Sequence, residues 1–232
     1  MKIGIIGHGS FGTFAAGALT PYADILTYDE REPDTSAPFE AIASADVIIL
    51  AVPLSAYEVI LKKLKALLHE NTLIVDICSV KVPSRNIVLD ILKTHPNILI
   101  SHPLFGPQSA ANGLNGHDII VTNVIGEKAE QGVVFLKEKL GLNVHEITAE
   151  EHDHIMAYVH ALTFFVARGL SGLELPVIPF KTPSFAMLQA LIDLDHKHSD
   201  ELFSTIQKGN PYAADVRKKL INELIQLDKN TR

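Results

Sequence analysis

A glycine-rich turn follows the first apolar run of the chain and has the pattern G-x-G-x-x-G. It comprises Gly7, His8, Gly9, Ser10, Phe11 and Gly12. In such a turn the first glycine permits a tight bend, the second lets backbone approach a pyrophosphate, and the third lets a helix pack on a strand. The amino terminus of the following helix adds unpaired N–H groups and positive dipole. These six residues therefore predict a dinucleotide-binding turn.

An acidic residue at the end of the second apolar run bears on the choice of dinucleotide. Asp29 lies 17 positions after Gly12, where a carboxylate can accept hydrogen bonds from the adenosine ribose. Because this charge repels a 2′-phosphate, NAD is favoured over NADP. Arg31 weakens the preference, since an arginine nearby can serve a 2′-phosphate. Val52 and Pro53 end the third apolar run and are expected to face the cofactor, although a proline that only terminates a strand explains them almost equally well.

Two polar segments follow the next two apolar runs, residues 76–81 (DICSVK) and residues 101–107 (SHPLFGP). In open α/β sheets the ligand crevice lies at the carboxyl ends of the strands, so both segments are expected to face a nicotinamide ring. Removing hydride from an alcohol carbon requires a group that takes the hydroxyl proton, and the pKa of histidine suits that task. His102, held by Pro103, is the candidate catalytic base. Ser79 is expected to hydrogen-bond the same hydroxyl or the nicotinamide.

This ordered set of motifs resembles the prephenate and arogenate dehydrogenases of tyrosine biosynthesis. Residues 76–81 are similar to the D-x-x-S-V-K segment of that family, and residues 102–107 (HPLFGP) to its H-P-M-F-G-P signature. Residues 151–153 (EHD) are similar to the E-H-D that opens the helical region in the family. With the glycine turn and Asp29, the resemblance spans nearly the whole chain.

The resemblance implies an oxidative decarboxylation in which NAD takes a hydride from the ring carbon bearing the hydroxyl, carbon dioxide leaves and the ring becomes aromatic. On this interpretation His102 polarises or deprotonates the hydroxyl and Ser79 orients it. His152 would help to bind cofactor or substrate. Lys81 and Gln108 would contact the substrate.

The chain departs from the family at one point of substrate recognition. Bacterial prephenate dehydrogenases of this type usually carry an arginine in the helical region that binds a substrate carboxylate, yet no arginine lies between Arg168 and Arg217. Arg168, Lys181 or Lys197 would have to replace it, although a lysine lacks the planar fork. Residues 191–195 (LIDLD) look more like plant-type arogenate dehydrogenases, in which an acidic group could meet the substrate ammonium. Prephenate and arogenate are therefore both candidates.

The elements that must position these residues follow from the hydrophobic pattern. Short apolar runs alternate with helix-length segments such as residues 56–68 and 128–140, which predicts a Rossmann-like, doubly wound, mainly parallel sheet. The predicted strands are residues 2–6, 24–28, 47–52, 72–75, 97–100, 118–122 and 143–147.

The last third of the chain has helical spacing only. The predicted helices are residues 152–170, 184–207 and 213–227. A helical unit of roughly 80 residues is marginal alone, so we expect it to pack on the first domain and on a second copy of itself. The predicted organisation is a dinucleotide-binding domain at residues 1–149 and a small all-helical substrate and dimerisation domain at residues 150–232.

The composition narrows the class of protein. The hydrophobic fraction of 47% and charged fraction of 20% are typical of an ordinary soluble globule, and the net charge of -7 argues against nucleic acid or an anionic membrane as partner. The single cysteine, Cys78, forms no intrachain disulfide and fits a reducing cytosol. With no secretory or membrane-spanning segment recognisable, we predict a cytoplasmic homodimer that acts on a small molecule.

Three alternatives were weighed against this interpretation. Histidines two apart, at residues 152–154 (HDH) and 196–198 (HKH), point to different faces of a helix, so no metal site is predicted. Another Rossmann-fold reductase, linked to imines or deazaflavin, would keep the glycine turn but would not need His102 and Pro103. A catalytically silent NAD-binding protein would fit the absent arginine.

Overall fold

A computed structural model describes residues 1–32, 37–173 and 175–232. The chain divides into two compact units, Met1–His152 and Asp153–Arg232. This division lies three residues after the boundary that the sequence pattern predicts at residue 149.

The first unit is built on a seven-stranded sheet with the order β2-β1-β3-β4-β5-β6-β7. Every neighbouring pair is parallel except β5 and β6, so the predicted mainly parallel sheet is confirmed. The antiparallel pairing carries β5 and β6 beyond their apolar runs, to residues 103 and 125. The strands are β1 (Lys2–Ile6), β2 (Asp24–Tyr28), β3 (Val47–Leu50), β4 (Leu73–Asp76), β5 (Ile98–Pro103), β6 (Asp118–Ile125) and β7 (Asn143–Glu146).

Helices cover both faces of this sheet. Strand side chains alternate between two cores, one containing Ile3 and Ile5 and the other containing Ile6 and Ile48. Helix α1 packs on the first face, whereas α2, α3 and α4 pack on the second. The helices of this unit are α1 (Ser10–Leu19), α2 (Phe39–Ala43), α3 (Tyr57–Lys65, preceded by a 3-10 turn at Leu54–Ala56), α4 (Lys81–Ile91) and α5 (Glu127–Glu138).

The second unit is entirely helical in its described residues, as the pattern predicts, but its helices are more broken. The predicted helix 152–170 is interrupted by a π-helical segment, Ala157–Leu162. The predicted helix 184–207 divides before Ser199, because the Ser199 hydroxyl caps a new helix by accepting from the Leu202 N–H. The elements are α6 (Ala149–Met156, which begins in the first unit), α7 (Thr163–Ser171), α8 (Pro183–His196), α9 (Asp200–Ser204), a π-helical Thr205–Gly209 and α10 (Ala213–Asn230).

The described residues lack two features, a membrane-spanning helix and a metal-binding cluster. No described helix combines the length and apolarity needed to cross a membrane. Within the same residues, no group of three or more His, Cys, Asp or Glu side chains is arranged to hold a metal ion.

Candidate active site

The glycine turn is shaped by contacts that exclude side chains at two positions. Gly7 has a φ of +104°, and its N–H donates to the Tyr28 carbonyl across 2.7 Å. A Cβ at Gly7 would collide with the Ala51 carbonyl, and one at Gly12 would collide with the Gly7 carbonyl. At Gly9, by contrast, no described atom lies within 4 Å of a Cβ position. The second glycine therefore leaves its backbone approachable beside the amino terminus of α1.

This turn lies where the strand order reverses. β1 lies between β2 and β3, so the loops that leave β1 and β3 separate at the carboxyl edge, where ligands bind in open sheets. Val52 and Pro53 are half-buried in the loop after β3, and Val52 lies beside Gly7. The strand itself ends at Leu50, two residues earlier than predicted. Ser10 is exposed at the start of α1.

Asp29 and Arg31 form a bidentate pair at the end of β2. Arg31 Nε and Nη2 donate to Asp29 Oδ1 and Oδ2 across 3.0 and 2.9 Å, and the His8 N–H also donates to Oδ2 across 3.0 Å. The Arg31 guanidinium holds the pKa of the Asp29 carboxyl well below its usual range, against the opposing effect of burial. His8 Nδ1 lies 2.8 Å from the Glu32 carboxylate. A carboxylate fixed to the glycine turn thus stands where a ribose is expected.

His102 lies within β5 and is almost fully buried. The register with β6 shifts beside it: Ile100 pairs with Asn123 but Ser101 pairs with Val121, so β6 carries one extra residue, Thr122, opposite this part of β5. His102 Nδ1 lies 2.8 Å from His152 Nε2, with the rings nearly perpendicular at 74°. The structure therefore brings together two histidines that are 50 residues apart.

The start of α6 fixes His152. Thr148 and Glu151 form a capping box, in which the Glu151 N–H donates to Thr148 Oγ1 and the Thr148 N–H donates to Glu151 Oε2. Arg85 on α4 holds the same turn through two hydrogen bonds to the Glu150 carboxylate, at 2.9 and 2.7 Å. His152 is fully buried rather than open to a cleft. Its side chain contacts His102, and its contribution to binding cofactor or substrate stays a prediction.

Lys81 is enclosed in the protein interior, where it contacts protein groups. The sequence suggested a substrate contact, but the side chain is 0% exposed and its Nζ donates to Asp76 Oδ2 across 2.9 Å and to the Ser101 carbonyl. A lysine with four methylene groups can reach beneath the loop when a buried carboxylate compensates its charge. The ammonium thus supports the site from the protein interior.

The remaining predicted substrate residues lie in loops at the same edge. Ser79 is half-buried between β4 and α4, and Gln108 is exposed after β5. Phe11 packs against the rings of Phe14 and Phe105, at centroid distances of 5.7 and 6.5 Å.

Sequence reasoning missed the carboxylate that organises this edge. Asp76 is fully buried at the end of the apolar run LIVD, and a charged residue in such a run is the signal that could have identified it. Tyr57 donates to its Oδ1 across 2.6 Å and Ser84 to its Oδ2 across 2.7 Å. Burial and the nearby Asp76 charge raise the pKa of the Tyr57 hydroxyl, so Tyr57 serves as a hydrogen-bond donor.

In the helical unit, the arginine considered for substrate binding is engaged elsewhere. Arg168 Nε donates to both carboxylate oxygens of Asp195 at 2.7 and 2.9 Å, and its Nη1 donates to Asp200. Its guanidinium also lies over the Phe203 ring, 4.3 Å from the centroid. Arg168 therefore ties α7 to α8 and α9. Of the other two candidates, Lys181 is exposed and bonded to Gln189, and Lys197 is exposed.

Comparison with known proteins gives this arrangement a family context. Residues 29–141 match the family model described as the nucleotide-binding domain of prephenate dehydrogenase. The chain is 27% identical to arogenate dehydrogenase 2 of Arabidopsis thaliana, over 95% of this chain and 67% of that protein. It is 30% identical to arogenate dehydrogenase 1 of the same plant, over 92% of this chain and 36% of that protein. The chain thus spans between about a third and two thirds of these relatives.

A solved structure agrees in fold over the whole chain. Prephenate dehydrogenase from Aquifex aeolicus, solved with hydroxyphenyl propionate and NAD+, superposes with a TM-score of 0.75 and 22% identity, covering 100% of this chain and 91% of that one. At this identity the likeness concerns the fold.

Proposed function

We infer that the chain belongs to the prephenate and arogenate dehydrogenase family, and from this premise we propose that it catalyses the NAD(P)-dependent oxidative decarboxylation of prephenate or arogenate in tyrosine biosynthesis. The ring carbon that bears the hydroxyl loses a hydride to the cofactor while the hydroxyl proton passes to a base. The ring carboxylate leaves as carbon dioxide, the electron pair of its bond enters the ring, and the oxygen takes the proton back, so that the product is a phenol. The ring thereby becomes aromatic. Aromatisation drives the reaction, so the protein mainly has to align the reacting groups.

The cofactor site that we propose comprises the glycine turn, Asp29, Arg31, Val52 and Pro53. When bound, the nicotinamide supplies the hydride acceptor. The open position at Gly9 and the amino terminus of α1 suit a pyrophosphate, and the ionised Asp29 suits the ribose hydroxyls. We propose NAD as the preferred form, because a carboxylate repels a 2′-phosphate. The exposed Arg31 tempers the preference, and Arg31→Ala should widen the ratio of kcat/KM for NAD over NADP.

His102 is the proposed base. For its Nε2 to accept the hydroxyl proton, its Nδ1 must carry hydrogen and donate to His152 Nε2, at the observed 2.8 Å. This assignment makes His152 a positioning residue that selects the productive tautomer of His102 and stabilises the imidazolium formed during the reaction. Ser79 is proposed to donate to or accept from the same substrate hydroxyl. Proton transfer by a positioned histidine typically contributes about 10²–10⁴-fold in rate.

The choice between the two substrates rests on residues of the helical unit. Arg168 is committed to Asp195 and Asp200, which weakens its candidacy as a carboxylate clamp. Asp195 accepts hydrogen bonds from Arg168. In residues 191–195 the exposed Asp193 is therefore the acidic group that we propose for a substrate ammonium. Gln108 is the proposed contact from the sheet unit.

We also propose a homodimer formed through the helical unit. The support is apolar side chains at helical spacing on its surface: Tyr158 and Val159 are 43% and 60% exposed, and Leu224 and Ile225 on α10 are 54% and 49% exposed. A monomer by light scattering at micromolar concentration would contradict this proposal.

The observation that carries the proposed function is His102, bonded to His152 at the carboxyl edge of a sheet that also holds the glycine turn. The experiment is NADH or NADPH formation by purified protein with prephenate and with arogenate, each offered with NAD and with NADP. Turnover of one substrate establishes the reaction and reveals the consequence of the absent arginine. Tight NAD binding without turnover of either substrate would instead favour a different reductase or a silent nucleotide-binding protein.

A further inference from the structure

The buried ion pair between Asp76 and Lys81 joins the loop after β4, which carries Ser79, to β5, which carries His102. We propose that this ion pair is a positioning device that sets the distance and orientation of Ser79 relative to His102. The inference rests on the proposed function, because it concerns the same reaction. It gives Lys81 a role different from the substrate contact that its sequence position suggests.

The pair is completely enclosed and fully hydrogen-bonded. Both side chains are 0% exposed, with 2.9 Å between Lys81 Nζ and Asp76 Oδ2. Asp76 Oδ1 accepts from Tyr57 and from the Cys78 N–H, at 2.6 and 2.8 Å, and Oδ2 also accepts from Ser84 at 2.7 Å. A buried carboxylate with this many donors has one well-defined position.

Each partner holds backbone immediately next to a proposed catalytic residue. Asp76 accepts from the N–H of Cys78, which directly precedes Ser79. Lys81 donates to the carbonyl of Ser101, which directly precedes His102. The Ser101 hydroxyl also donates to the backbone carbonyl of Asp76 across 3.1 Å. The ion pair therefore ties the backbone beside Ser79 to the backbone beside His102, in addition to the pairing of β4 with β5.

Stability alone is a weak reason for such a pair. Removing two charges from water costs much of what their attraction returns, so apolar replacements of buried ion pairs are often neutral or stabilising. What an apolar pair cannot supply is a directed link between two specific backbone groups. Since a displacement of about 1 Å in a reacting group can cost about 10²-fold in rate, that link has a catalytic consequence.

The test removes both charges and keeps the space filled. In the double variant Asp76→Asn/Lys81→Met, the amide oxygen can still accept from Tyr57 and Cys78, and the amide nitrogen can donate to Ser84. We expect folding with Tm within a few degrees of wild type, NAD affinity within about threefold, and kcat lower by about 10²-fold with a smaller change in KM. A folded double variant with wild-type kcat overturns the proposal.

Thr72→Val is the matched control, because it removes a buried hydrogen bond, from Thr72 Oγ1 to the Ala45 carbonyl across 3.1 Å, at the opposite end of β4 from Asp76. Its Tm should fall by a few degrees while kcat stays within about threefold of wild type. If the double variant does not fold, Asp76→Asn alone decides, because it removes the ion pair while its amide keeps the hydrogen bonds to Tyr57, Cys78 and Ser84: kcat about tenfold lower in the folded variant supports the link. Wild-type kcat in Asp76→Asn would then overturn it.

Failure of the proposed function gives a different result, namely a wild-type protein without turnover on either substrate. In that case crystal structures of wild type and double variant test the pair directly. The separation between the Ser79 and His102 Cα atoms should change by about 1 Å. An unchanged separation would refute the positioning role whatever the reaction is.

Discussion

Each unit of the molecule contains a carboxylate–cation pair, and the two pairs do different things. Asp76 and Lys81 in the sheet unit are both fully enclosed, and their further hydrogen bonds reach backbone beside Ser79 and His102. In the helical unit, Asp195 is buried but the Arg168 side chain is 35% exposed, and its further contacts reach α9. The groups that accept or donate the other hydrogen bonds of an ion pair therefore indicate its role better than its burial does. One pair aligns a site, whereas the other holds helices together.

The largest expected effect is the difference in kcat between a histidine variant of the sheet unit and one of the helical unit. His102→Ala should lower kcat by about 10³-fold, because the proposed base is lost, while NAD affinity stays within about threefold. The matched control is His198→Ala in the helical unit, where His198 packs on Phe164 at 4.7 Å and bonds the Leu194 carbonyl. Its kcat should be near wild type. Steady-state kinetics and NAD titration measure both, and equal losses in the two variants would contradict the assignment of chemistry to the sheet unit.

Breaking one partner of each ion pair should have unequal costs in stability. Lys81→Met leaves Asp76 charged and enclosed, so the free energy of unfolding should fall by about 3–5 kcal/mol. Arg168→Met leaves Asp195 near solvent that can reach it, and the loss should be about 1 kcal/mol. Urea denaturation of the two variants provides the comparison. Similar losses would mean that enclosure does not distinguish the pairs.

The contact between His102 and His152 should show a smaller, graded effect on turnover. His152→Ala should lower kcat by about 10–100-fold, because the Nδ1 hydrogen of His102 loses its acceptor and the productive tautomer is no longer fixed. His152→Gln retains an acceptor oxygen and should recover part of the loss. The bell-shaped pH dependence of kcat should shift along the pH axis in His152→Ala and return toward the wild-type position in His152→Gln. Identical kinetics for both variants would indicate that His152 only fills space.

How much the sequence predicts differs between the same two regions. The glycine turn and the strands follow from local patterns, because a tight turn before a helix and a buried parallel strand each require particular residues in succession. The ion pair, the contact of His102 with His152 and the engagement of Arg168 join residues that are distant in sequence. Lys81 is an example: the family resemblance implies a substrate contact, whereas the fold places the buried Asp76 carboxylate within reach of its ammonium.

The pair of the buried Asp29 and the exposed Arg31 gives the smallest expected effect and extends the comparison to the surface. Hydrogen bonds from the Arg31 guanidinium hold the pKa of Asp29 below its unfolded-state value of about 3.9, so the ionised carboxylate stabilises the folded state. That contribution is complete above the unfolded-state pKa and is lost progressively as pH falls below it toward the lowered folded-state pKa. Because the Arg31 side chain is 66% exposed, solvent screening should keep the contribution near 1 kcal/mol or less. Urea denaturation of wild type and Arg31→Ala should show this difference at pH 7, and it should shrink as the pH is lowered through about 4 toward 3. A difference that stays constant over that range would mean that Arg31 acts through packing rather than through the charge of Asp29.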